Sequence, residues 1–120
     1  MKGKLHKMKL MNKDIQDGLM HIVLAGRLDM DGVEAVELEF TATIGKATDG
    51  VIIDLEQVDF LASLGMRMLL SSAKLLNSKG VPIVLLNPQT LVLETLQIAG
   101  FDSLFQIENS LDEAIKKLEK

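Results

Sequence analysis

Cysteine, tryptophan and tyrosine are absent from the 120 residues, and proline occurs only twice. Without cysteine the chain can form no disulfide framework, no thiolate nucleophile and no Cys-ligated zinc site, a composition that suits a reducing cytosol. Without Trp and Tyr most platforms for base stacking are missing. The 13 basic residues against 17 acidic ones also leave no cationic field to neutralise phosphates. No nucleic-acid partner is expected. Long apolar runs are lacking too, since the stretches around Leu19–Ala25 and Val81–Leu86 fall far short of the roughly 20 residues that cross a bilayer. No membrane insertion is expected. The segment Met1–Met11 alternates Lys with Met and Leu and never reaches the apolar run of a secretory signal. Residues 1–7 read as a flexible tail, and a cytoplasmic location is expected.

What is present is one core's worth of apolar residues, 48% of the chain, enough for a single domain over residues 8–120 that buries about two-thirds of its surface. Met8–Ile15 and Leu19–Ala25 read as strands joined by the turn Gln16-Asp17-Gly18, and so as an antiparallel hairpin. Asp31 is placed to cap a helix whose Val33, Val36, Phe40 and Ile44 recur near helical spacing, ending around Gly45. A β-branched run, Val51–Leu55, precedes a helix over Ser63–Ser78 that points Met66, Leu69, Leu70, Ala73 and Leu76 inward and stops at Gly80. Pro82–Leu86 reads as a buried strand, and Asn87-Pro88 as the cap and first turn of a helix closing at Gly100. A short strand over Leu104–Ile107 leads to a capping box at Ser110 and Glu113, opening a helix with Leu111, Ala114, Ile115 and Leu118 inward. Strands alternating with helices imply parallel pairing, so the expected fold is α/β: a mixed sheet of about five strands covered by four helices.

In sheets of this kind sites gather beyond the carboxyl ends of the strands, here the segments 26–31, 58–65 and 87–89. Ser63 between a strand and a helix, with Gly65 two residues on, invites comparison with a nucleophile elbow. Leu61 stands where that motif has its first glycine, and His6 and His21 both precede the serine, against the hydrolase order. Asp29 and Asp31 before Gly32 lack the remaining ligands of a calcium loop, which leaves helix capping for Asp31. Gly45-Lys46-Ala47-Thr48 has Phe40 in place of the first glycine of a phosphate-binding loop and ends a helix where that loop would open one. His6 falls in the tail and His21 stands alone in a strand, at an ordinary surface or edge position rather than as a metal ligand. No enzyme activity and no cofactor are expected.

Ser63 remains, at a helix start, where capping is its ordinary role. Turning 100° per residue from it brings Leu64, Met68 and Leu75 together opposite the inward set. An outward apolar stripe requires a cover: the preceding helix, a second copy, or another protein docked on it.

The stretch Val51-Ile52-Ile53-Asp54-Leu55-Glu56-Gln57-Val58-Asp59-Phe60-Leu61-Ala62-Ser63-Leu64-Gly65-Met66 resembles the strand, loop and second-helix signature of the STAS domains, which usually ends Asp-Ser-Ser/Thr-Gly-Leu. Gly26-Arg27-Leu28-Asp29 is similar to the Gly-x-Leu-Asp that ends the family's second strand, and Asn87-Pro88 with Ile98-Ala99-Gly100-Phe101 to the run around its third helix. Bacterial anti-sigma factor antagonists, stressosome proteins and transporter subunits share this domain. The resemblance implies a protein-binding switch that frees a sigma factor by binding an anti-sigma factor, itself a histidine-kinase-like serine kinase, with a phosphatase to reset it. A non-switching scaffold, or the regulatory subunit of a stressosome or transport complex, is the alternative. Ser63 falls on the phosphorylated serine of the antagonists, with Ala62 in place of the usual aspartate and Leu64 in place of the usual serine or threonine. The expected binding surface comprises Leu64, Met68, Leu75, Ala62, Asp29 and Asn87, with a monomer as the favoured state.

Overall fold

A computed structural model describes residues 8–16 and 18–119. Residues 1–7, read above as a tail, and Asp17 of the hairpin turn lie outside them. In chain order the elements are β1 (Lys9–Gln16), β2 (Leu19–Leu28), α1 (Met30–Ile44), β3 (Gly50–Leu61), α2 (Ser63–Ser78), β4 (Ile83–Leu86), α3 (Thr90–Ile98), a single 3-10 turn over Phe101–Ser103, β5 (Gln106–Glu108) and α4 (Leu111–Leu118). The five strands lie in sequence order in one sheet, with β1 antiparallel to β2 and every later pair parallel.

Because each crossover advances the sheet by one strand in the same direction, α1, α2 and α3 all lie on one face. Val33, Val36, Phe40 and Ile44 of α1, Met68, Leu69 and Leu76 of α2, and Val92 and Leu96 of α3 join Ile22, Leu24, Ile53, Leu55 and Leu85 in one core. Strand residues alternate between faces, so Leu19, Ile52, Val84 and Leu86 project the other way and are covered by Ala114 and Leu118 of α4. Ser110 caps α4 as expected, accepting the Glu113 N–H at 3.2 Å, whereas Leu111 faces solvent.

Several boundaries differ from the expectation for physical reasons. The cap of α1 is Asp29, which accepts the Gly32 N–H, and Asp31 lies in the first turn. β3 does not stop at Leu55 but runs to Leu61, because β2 continues beside it to Leu28 through two register shifts. Asn87 caps nothing: it takes φ 59°, the left-handed region that Asn tolerates, and its N–H donates to the Glu108 carbonyl at 2.7 Å, so α3 begins only at Thr90. His21 is buried, not at the surface: its Nε2 lies 2.8 Å from Oδ2 of Asp54, whose other oxygen accepts the Glu56 N–H. No described helix is long and apolar enough to cross a membrane.

Candidate functional site

The tip of β2 is where the site is built. Arg27 pairs with Phe60 and Leu28 with Leu61 across the β2–β3 ladder, and the Ala62 N–H donates to the Leu28 carbonyl at 3.0 Å. Two glycines then let two helices start against this tip. A Cβ on Gly65 would lie 2.5 Å from the Leu28 carbonyl oxygen, and one on Gly32 would overlap the Arg27 carbonyl. Any larger side chain would push the first turn of α2 or α1 off the strand. Asp29, Ala62, Ser63 and Leu64 are thereby gathered at one end of the sheet.

Asp29 accepts the Gly32 N–H at 3.0 Å through one oxygen and the Arg27 Nε–H at 3.3 Å through the other. The Gly32 N–H, with the Arg27 guanidinium adding to it, holds the Asp29 carboxyl below the usual carboxylate range. Arg27 also sits over its cross-strand neighbour, its guanidinium carbon 4.2 Å from the centre of the Phe60 ring. Arg27 and Phe60 lie within the sequence motifs that pointed here, but only the strand register shows that they meet.

Ser63 is exposed and is the first residue of α2, not its cap. The cap position belongs to Ala62, extended at φ −100° and ψ 175°, and no side chain accepts a bond from the first turn, which also holds no acidic residue. The start of α2 is therefore a set of donors without side-chain partners. Supplying one is expected to stabilise the domain: Ala62→Asp and the uncharged Ala62→Asn should each raise the unfolding free energy by about 1 kcal/mol in urea titrations. A gain in the Asp variant alone would trace it to charge rather than to capping.

The rest of the expected surface does not converge on this end. Met68 is only 3% exposed and belongs to the core. The buried side of α2 consists of Gly65, Met68, Leu69, Ser72 and Leu76, centred about 80° around the helix from the inward set expected above. The reason lies in two residues that carry no apolar signal. Gly65 must face β2 because only glycine fits there, and buried Ser72 satisfies its hydroxyl on the Leu69 carbonyl at 2.6 Å. Leu64 is half-buried against the core, and Leu75 is exposed but three turns along α2 from Ser63. Asn87 follows β4, whose last residue Leu86 pairs with Asp54, seven positions before Leu61. It therefore flanks the middle of β3, away from the tip that carries Ser63.

Sequence and structure comparisons agree with this architecture. The sequence profile described as the STAS domain matches residues 11–114. BtrV of Bordetella bronchiseptica, named as a candidate anti-sigma factor antagonist, is 34% identical over 98 residues, covering 82% of this chain and 84% of the relative. A candidate anti-sigma factor antagonist from Thermotoga maritima superposes with a TM-score of 0.84 at 17% identity, over 92% of this chain and 95% of its own. The anti-sigma factor antagonist SpoIIAA in its unphosphorylated form gives 0.76 at 24% identity, over 91% and 95% of the two chains. The Bacillus SpoIIAA in its phosphorylated form gives 0.71 at 23%, over 92% and 100%. At these identities the structural matches establish the fold alone.

Proposed function

The chain belongs to the STAS domain family, and from that premise we propose that it is an anti-sigma factor antagonist, a cytoplasmic binding protein and not an enzyme. Unmodified, it binds an anti-sigma factor with serine kinase activity and so frees a sigma factor. Phosphorylation of Ser63 ends the binding, and a phosphatase restores it. The observation that carries this reading is an exposed hydroxyl on the first residue of a helix that lacks a side-chain cap. The partial positive charge and free N–H groups of such a start favour a phosphate, so the domain is expected to stay folded when modified. That SpoIIAA occurs in both forms supports this tolerance for the fold. For a partner docked on Ala62 and Leu64 and along α2 to the exposed Leu75, with Asp29 at the margin, the same phosphate adds a charge of about −1.5 to −2 beside apolar surface that docking would have to dry.

Ala62 and Leu64 beside the acceptor favour a second reading, a STAS scaffold or complex subunit that keeps the surface without the switch. Incubation with the cognate kinase and ATP distinguishes the two. The first expects one phosphate, located by mass spectrometry at Ser63 and not at Ser71 or Ser72. A chain that binds the kinase but stays unmodified supports the second.

A further inference from the structure

Ser63, Arg67, Ser71, Lys74 and Ser78 are all exposed and follow one another at intervals of three or four residues, a single row along the solvent side of α2. No Asp or Glu occurs in α2, whereas α1 beside it carries Asp31, Glu34, Glu37 and Glu39 and no basic residue. Among the described residues neither Arg67 nor Lys74 takes part in an ion pair. In a chain of net charge −4 the outer row of α2 is thus a cationic stripe with its charges free. Arg27 at the same end is already engaged by Asp29 and by the Phe60 ring.

Arg67 stands four residues after Ser63, and helical side chains lean toward the amino end, so its guanidinium is within reach of the turn that carries the serine. An arginine fork matches a phosphate with two parallel hydrogen bonds, which a point charge does not. We infer that Arg67 is the residue through which α2 reads the state of Ser63. With Ser63 unmodified, Arg67 and Lys74 meet carboxylates on an acidic protein surface of the partner. With Ser63 phosphorylated, Arg67 closes on the phosphate, and the leading end of the stripe turns from cationic to anionic. This rests on Ser63 being the modified residue, and it adds what recognises the change and what kind of surface the partner presents.

The test needs no kinase. Phosphoserine is genetically encoded at position 63 of the full chain, and the second ionisation of the phosphate is followed by phosphorus NMR. Its midpoint is expected to lie lower by at least about 0.3 pH with Arg67 present than in Arg67→Gln, and Arg67→Lys should restore at least part of the difference. The helix start acts equally in all three chains and cancels. Equal midpoints overturn the inference. In the unmodified chain Arg67→Glu is expected to weaken binding of the purified anti-sigma factor about tenfold or more at low ionic strength, with the loss shrinking as salt is added. A loss that ignores salt, or no loss, overturns the acidic-surface assignment. Should Ser63→Glu bind the anti-sigma factor as well as Ser63→Ala while the NMR difference stands, the switch fails and the Arg67 pairing survives. The reverse pattern keeps the switch and removes Arg67 from it.

Discussion

Met68→Asp is expected to destabilise the isolated domain by about 4 kcal/mol or more, while Leu75→Asp on the same helix should change stability by less than about 1 kcal/mol. Met68 lies within the main core at 3% exposure, so the substitution removes buried apolar volume and places an unpaired carboxylate where it cannot be hydrated. Against the roughly 5–15 kcal/mol that holds a domain together, a loss of that size leaves a large unfolded fraction on mild heating. Leu75 is already exposed, and its replacement leaves no cavity. Urea unfolding of both variants, followed by circular dichroism, checks the pair. Cooperative unfolding of Met68→Asp near the wild-type midpoint would mean that α2 presents a different side to the sheet.

Ser63→Glu is expected to lower affinity for the anti-sigma factor by about 30-fold or more, the loss associated with spoiling a buried anchor, while Ser63→Ala binds as the wild type does. The alanine variant isolates the effect because the Ser63 hydroxyl caps nothing, so its removal should leave the melting temperature unchanged. A glutamate carries less charge than a phosphate and fewer acceptor oxygens, which makes 30-fold a lower bound for the modified protein. Calorimetric titration of both variants against the purified anti-sigma factor measures the difference. Equal affinities would take the switch away and leave a constitutive scaffold.

Much of the fold was legible because its signals are local. Alternating or β-branched runs bounded by Gly, Pro and Asn gave the five strands in order, and Ser63–Ser78 emerged with its observed ends, since the inward periodicity and Gly80 delimit it. What escaped depends on contacts between segments distant in sequence. β3 reaches Leu61 because β2 is there to pair with it, a fact absent from the mixed run Glu56–Phe60. The facing of α2 is set by where a carbonyl of β2 approaches it, so glycine and serine took inward positions that a count of apolar residues assigns to solvent. Asn87 reads from the sequence as following a strand and does, yet β4 ends well short of β3, and only the register shows that the loops lie at different heights. The same limit applies to His21, whose buried partner Asp54 is 33 residues away.

The close seating of Gly32 and Gly65 on adjacent carbonyls of β2 also bears on how fast the partner proposed above would recognise this surface. A segment ordered only in the complex gives up conformational freedom on binding and commonly waits for the right arrangement before it can be captured. Here the strand tip and both helix starts are already clamped together in the free domain, so an encountering protein meets the serine in its final place. For a partner that docks at Ser63, the rate would then be governed by orientation and charge steering rather than by rearrangement of this chain.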